Sequence, residues 1–285
     1  MNDMKKCTVV GGGAMGRQIA LQTAIHGYEV IVCESFASAR ESMETWKNEY
    51  LAGRIDKGRM TAEQVADIKA RFAITDNLEA ACKEADIVIE AIIEDKQAKT
   101  ELLGKVSRLT RPDTIIATNS SFVVSSTFAE AVEHPERLAN LHYFAPALVM
   151  KLVEVVKGDH TSQETVDKLM DFGRSTGKTP ALVQKEEDGF IVNNILKVIK
   201  EEAYRLVKEG VCTLEDLDTA VELGLGHPMG PFKIDDMNGL DVRYNVLKRR
   251  YEETGVKSEG YEMIEELYQQ GRYGRKTKHG FYDYE

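Results

Sequence analysis

Glu154 stands alone in the run Lys151-Leu152-Val153-Glu154-Val155-Val156, a carboxylate enclosed by aliphatic neighbours. A charge in such a run is costly to bury unless it is paired. His142 closes another apolar run, Leu141-His142-Tyr143-Phe144, and the turn at Pro146 can bring the two runs side by side as adjacent strands. A carboxylate held to one ring nitrogen fixes the imidazole tautomer and stabilises the protonated ring, which leaves the other nitrogen as a general base. The chemistry open to such a pair is removal of a hydroxyl proton while a hydride leaves the same carbon. A solvent-facing Glu on a strand edge beside a packed His is the plainer alternative from residue types alone.

A hydride needs an acceptor, and the N-terminal segment supplies a place for one. Gly11-x-Gly13-Ala14-Met15-Gly16 follows the apolar run Lys6–Val10 and opens a helical pattern that stops at Gly27; the next apolar run, Tyr28–Glu34, ends in an acid. Strand, glycine turn, helix, strand and terminal acid form the context that dinucleotide binding requires. Gly11 permits the tight turn, Gly13 lets the backbone approach a pyrophosphate, and Gly16 allows helix and strand to pack closely. The N–H groups of the first helical turn face the phosphates. Glu34 accepts hydrogen bonds from the adenine-ribose hydroxyls and repels a 2′-phosphate. Ser35 and Phe36 bring no positive charge to offset it, so the cofactor expected is NAD. Asn119, Ser120 and Ser121 follow the strand-like run Asp113–Thr118 and can donate to a substrate oxygen, or else cap a helix. Asn193 and Asn194 interrupt the apolar face of a long helical segment beginning near Gly189.

The elements that position these residues alternate. Strand-like runs return at 85–92 and 113–121, each after a helical stretch, and two more bracket Pro146. This alternation predicts an α/β fold with a parallel sheet, a Rossmann-type dinucleotide-binding domain. Residues 36–71 are too long for a simple crossover and read as an inserted helical hairpin bearing Arg54, Lys57 and Arg59. From about residue 187 the pattern turns helical. The division expected is a dinucleotide-binding domain over 1–186 and an all-α C-terminal domain over 187–285, in line with roughly 100–200 residues per domain.

The formal net charge of −10 argues against general nucleic-acid binding, which needs a basic surface. No apolar run reaches the roughly 20 residues of a membrane span, and Met1–Gly13 lacks the apolar core of a secretory signal. The four cysteines and six histidines are scattered, without metal-ligand spacing. Reduced thiols, no metal and a cytoplasmic setting are therefore expected.

Taken in order, GGGAMG (11–16), EAIIEDKQAK (90–99), TNSSF (118–122), LHYFAPALVMKLVEVVKG (141–158), DGFIVNN (188–194), GHPMGPF (226–232) and GRKTKHGFYDY (274–284) resemble the 3-hydroxyacyl-CoA dehydrogenase family over nearly the whole chain. The resemblance implies NAD-dependent oxidation of an L-3-hydroxyacyl-CoA, with 3-hydroxybutyryl-CoA the expected substrate. It makes His142 the base and Glu154 its partner, and it selects Ser120 and Asn193 as substrate contacts. Glu94, Lys99 and Asn119 join Gly11, Gly13, Ala14, Met15, Gly16 and Glu34 at the cofactor. Lys57, flanked by Arg54 and Arg59, meets the CoA phosphates, and the helical domain forms a homodimer. Three departures stand out. Ala145 replaces an asparagine in the family's HFFNP. Ser120-Ser121-Phe122 replaces TSSL and is followed by one extra residue before His142. Asp188-Gly189-Phe190 replaces Pro-Gly-Phe. A same-fold oxidoreductase of a 3-hydroxy acid or alcohol without CoA is the alternative, and a non-catalytic NAD-binding protein the more distant one.

Overall fold

The computed structural model describes residues 4–285, which form two compact units dividing between Phe190 and Ile191. The first opens with β1 (Lys6–Val10), α1 (Ala14–Ile25) and β2 (Glu29–Cys33), the expected βαβ start. The predicted hairpin follows as α2 (Ala37–Asp56) and α3 (Ala62–Ala70). Then come β3 (Phe72–Thr75), α4 (Leu78–Cys82), β4 (Ile87–Glu90), α5 (Lys96–Leu109), β5 (Ile115–Thr118) and α6 (Ser126–Ala129). The unit closes with β6 (Leu138–Tyr143), β7 (Leu152–Val156), α7 (Gln163–Ser175) and β8 (Thr179–Val183).

Local chemistry sets several of these starts. Thr61 and Gln64 form a reciprocal capping box at α3, and Asp95 accepts from Ala98 N at 2.8 Å to start α5. The strands pair in the order β3-β2-β1-β4-β5-β6-β7-β8. The central strands are buried on both faces, as a sheet covered by helices on each side requires. One core lies between the sheet and α1, α2, α3 and α7, around Ile19, Leu21, Met43, Leu51 and Phe172; the other lies under α4, α5 and α6, around Val88, Leu103 and Phe128.

Two corrections apply to the expected sheet. It is not wholly parallel: β6 and β7 pair antiparallel, because the short connection through Pro146 cannot make the long crossover that parallel neighbours need. Two strands, β3 and β8, also join it at the edges where the sequence reading marked none. β8 contains Pro180, whose missing N–H is tolerated in an edge strand.

The second unit consists of α8 (Val192–Lys208), α9 (Leu214–Leu225), α10 (Pro231–Asn238), α11 (Leu240–Thr254) and α12 (Tyr261–Gln269). Its core gathers Tyr204, Leu217, Phe232, Leu240, Leu247 and Ile264. Among the described residues its only β pairing is two isolated bridges near the C-terminus, Gly274 with His279 and His279 with Asp283. No helix among the described residues is long and apolar enough to cross a membrane.

Candidate active site and dinucleotide cradle

His142 and Glu154 occupy directly opposed positions of the antiparallel β6–β7 pair. His142 Nδ1 lies 2.9 Å from Glu154 Oε2, and both side chains are buried. Facing residues of an antiparallel pair have close Cβ atoms, so the register alone delivers the contact. A carboxylate can only accept in this hydrogen bond, which places the imidazole N–H on Nδ1 and leaves Nε2 to act as the base. The ring is fixed further by Phe144, at 4.6 Å edge-on, and Phe190, at 5.3 Å.

The third member of the cluster is not the serine that the resemblance selects. Ser121 Oγ lies 3.1 Å from His142 Nε2, whereas Ser120 Oγ donates to Glu94 and accepts from Val123 N at 2.9 Å. Once β5 has ended at Thr118, the path of the chain no longer alternates like a strand, and the bonds to Glu94 decide which serine turns toward the histidine. Ser120 is buried and committed to the loop; Ser121 faces the base. Counting from Ser121 also removes the one-residue excess before His142 that the serine segment otherwise shows.

Glu94 is the organiser of this loop. Its Oε1 accepts from Ser120 Oγ, Ser121 N (3.1 Å) and Phe122 N (3.4 Å), while Oε2 meets Lys99 Nζ at 3.2 Å. Burial pushes the carboxyl up, but the Ser120 hydrogen bond, the Lys99 ammonium and the Phe122 N–H outweigh it and hold it below its ordinary range. Lys99 is not on the surface as a cofactor contact would require. It is only 1% exposed, and its ammonium bonds Glu90 Oε1 at 2.6 Å, so it acts on any ligand through Glu94. Glu90 is satisfied in turn by Thr118 Oγ1 at 2.5 Å and Ile92 N at 2.7 Å. Asn119 accepts from Tyr143 N at 2.9 Å, tying the end of β5 to that of β6.

The glycine turn lies between the carboxyl ends of β1 and β4, where the strand order reverses and dinucleotides bind in this fold. Gly11 has φ +105°, and a Cβ there would meet Ala91 O at 2.6 Å; a Cβ on Gly16 would strike Gly11 O. Gly13, by contrast, faces open space, with nothing within 4 Å of an added Cβ. The backbone is thus bare where a pyrophosphate must approach the N–H groups of Ala14 and Met15 at the start of α1. Glu34 directly follows β2 with Oε2 2.8 Å from Gly12 N and Oε1 3.0 Å from Phe36 N, held at the position the ribose hydroxyls need. Arg40, the cation beside it, is engaged with Glu34 O, Ser35 O and Asp76, so its charge is already partnered. These residues fit NAD.

The remaining candidates sit on other elements. Arg54 is in the last turn of α2, with Lys57 and Arg59 exposed just beyond it. Ala145 is exposed beside a cis Ala145–Pro146 bond. Asn193 is in the first turn of α8, in the second unit. The sequence division at 186/187 falls a few residues before that of the compact units, which keeps Phe190 with the histidine it packs against.

A doubly wound sheet with a glycine cradle, an acid at the end of β2 and a His–Glu pair at its carboxyl edge defines a nicotinamide-dependent oxidoreductase. The chain belongs to the 3-hydroxyacyl-CoA dehydrogenase family: residues 6–187 match its NAD binding domain and residues 189–284 its C-terminal domain. It is 34% identical over 280 residues to 3-hydroxybutyryl-CoA dehydrogenase of Clostridioides difficile, covering 98% of this chain and 99% of that one. The structure of (S)-3-hydroxybutyryl-CoA dehydrogenase from Ralstonia eutropha superimposes with a TM-score of 0.90 at 31% identity, over 99% of this chain and 100% of the other. A diketoreductase acting on dicarbonyl compounds is also similar, with a TM-score of 0.90 at 28% identity over the full length of both chains. The cofactor is NAD.

Proposed function

We propose that this chain interconverts L-3-hydroxyacyl-CoA and 3-oxoacyl-CoA, with 3-hydroxybutyryl-CoA as a substrate, and that His142, Glu154 and Ser121 carry the proton chemistry. The observation that supports this most is the Glu154–His142–Ser121 relay, in which a buried carboxylate holds Nδ1 of the imidazole and the serine hydroxyl lies 3.1 Å from its Nε2. In oxidation, His142 Nε2 removes the proton of the 3-hydroxyl, and Glu154 stabilises the imidazolium that forms. NAD, when held at the glycine turn and Glu34, would supply the hydride acceptor for C3. Ser121 donates to the same oxygen as it becomes a carbonyl, an interaction that strengthens as charge develops. Glu94 keeps Ser121 in place through its backbone N–H. The CoA carrier is held at a distance by Arg54, Lys57 and Arg59, so remote binding energy orients the reacting carbon.

Association of two copies through the second unit is part of the same reading. Ile195 and Val198 of α8 and Leu223 and Leu225 of α9 are all more than half exposed, an apolar surface suited to a partner. The test of the reaction is NADH formation from L- and D-3-hydroxybutyryl-CoA in separate assays. NADH from the L isomer alone is expected; equal rates, or NADH from neither, would overturn the assignment. The similarity to a diketoreductase makes free 3-hydroxybutyrate the essential control.

A further inference from the structure

Residues 184–190, which follow β8 and close the first unit, reach back to the catalytic cluster at two points. At the far end, Phe190 lies 5.3 Å from the His142 ring and packs with Val124, Val156 and Val183. It does so at φ +54°, a left-handed backbone rare in a bulky residue, so burial of the ring holds a conformation that the residue alone disfavours. Nearer the start, Glu186 grips the loop that carries Ser121. Its Oε1 accepts from Ser125 Oγ at 2.8 Å and from Ser126 N at 2.9 Å. Ser125 is wholly buried and is pinned from the other side by Asn140, which accepts from Ser125 N at 2.8 Å and donates to Val123 O at 3.0 Å. Gly158 leaves the space for this contact: an added Cβ would strike the His160 ring and lie 2.9 Å from Glu186 Oε1. His160 Nε2 is 3.5 Å from Ser125 Oγ, and burial holds that imidazole below its ordinary range although the Glu186 charge works the other way.

We propose that Glu186 is a positioning residue of the reaction: by holding Ser125 and Ser126 it fixes the far end of the serine loop, and with it the distance of Ser121 Oγ from His142 Nε2. This rests on the role given to Ser121 above. Glu94 holds the near end of the same loop and decides which serine faces the base. Glu186 decides how firmly that serine stays there, since a small misplacement of a catalytic group is costly even when its cause is remote. Both donors meet the one oxygen, so the loop needs an acceptor at that place rather than a negative charge. The amide oxygen of a glutamine supplies the same acceptor.

The test is a double-variant cycle on the intact protein. Rates of acetoacetyl-CoA reduction by NADH, and a melting curve, are taken for the wild type, Glu186→Ala, Glu186→Gln, Ser121→Ala and Glu186→Ala with Ser121→Ala. Glu186→Ala is expected to lower kcat about tenfold with KM for NADH unchanged, and Glu186→Gln to restore most of that rate. Once Ser121 is alanine, adding Glu186→Ala changes kcat little, because the hydroxyl it positions is gone. If Glu186→Ala melts below the assay temperature, Ser125→Ala, which removes one of the two bonds, takes its place in the cycle. Losses that multiply across the pair, a Glu186→Gln variant as slow as Glu186→Ala, or folded Glu186→Ala at the wild-type rate overturns the positioning role and leaves Ser121 in its own. Ser121→Ala at the wild-type rate, or a wild type that leaves acetoacetyl-CoA untouched, removes the reading above and the positioning role together.

Discussion

Ser121 Oγ stands 3.1 Å from His142 Nε2, while its neighbour Ser120 points the other way, into Glu94. Adjacent serines with opposite duties make a direct comparison possible. Ser121→Ala removes a donor that strengthens as the carbonyl forms, and it is expected to lower kcat about 100-fold with little change in NAD affinity. Ser120→Ala loses a loop hydrogen bond worth about 1 kcal/mol and is expected to lower the thermal midpoint with a smaller effect on kcat. Steady-state kinetics and melting curves of both variants check this, and the reverse ranking would return the role to Ser120.

Glu154 is expected to act only through the imidazole. Glu154→Gln keeps the shape but can present its amide N–H to Nδ1, which favours the tautomer with the proton on Nε2. A fall in kcat of about 10²–10⁴ follows, and His142→Gln loses at least as much. The double variant is expected to be hardly worse than His142→Gln alone. Additive losses would mean that the two residues act independently.

Much of this arrangement is legible in the sequence, for a physical reason. An acid inside Leu152–Val156 must find a partner, and the antiparallel turn at Pro146 leaves His142 opposite it. The glycine turn and Glu34 are equally readable, since each glycine answers a local steric demand. The serine assignment was not readable. Which of two adjacent residues faces the base depends on Glu94, far off in sequence, gripping the loop after β5. Nor was the burial of Lys99, because a lysine on a helix reads as a surface charge until Glu90 is placed beneath it. The strands β3 and β8 escaped because each is short, only partly buried and at an edge.

The Lys99–Glu90 pair supports a stability prediction. Both side chains are almost wholly buried, so Lys99→Met strands the Glu90 carboxylate. Breaking such a pair costs about 3–5 kcal/mol, or a fall in melting temperature of about 10 °C for a protein of this size. Replacing both, with Glu90→Leu added to Lys99→Met, is expected to recover much of that loss. A double variant less stable than Lys99→Met would contradict the account.

Glu94 carries a pH signature. Its folded carboxyl lies below the ordinary value of 4.5, so its contribution to stability is complete above that value and is lost as pH falls through the folded one. Urea unfolding of the wild type is therefore expected to weaken on the acid side of pH 4.5. In Glu94→Gln that part of the slope is shallower. Identical acid limbs in the two proteins would remove Glu94 as the holder of the loop.

Cofactor choice rests on Glu34. Glu34→Gln removes the repulsion of a 2′-phosphate and weakens the grip on the ribose hydroxyls, narrowing the NADH over NADPH preference by about tenfold or more in kcat/KM. An unchanged ratio would place the discrimination elsewhere.

The most direct test of the central claim is NADH oxidation with acetoacetyl-CoA, run beside free acetoacetate, NADPH and the His142→Gln variant. Rapid turnover of the thioester with NADH, little with either control and a loss of at least about 100-fold in the variant are the predicted results. A folded, NADH-binding protein that leaves acetoacetyl-CoA untouched, or a variant that turns it over at the wild-type rate, would contradict the account.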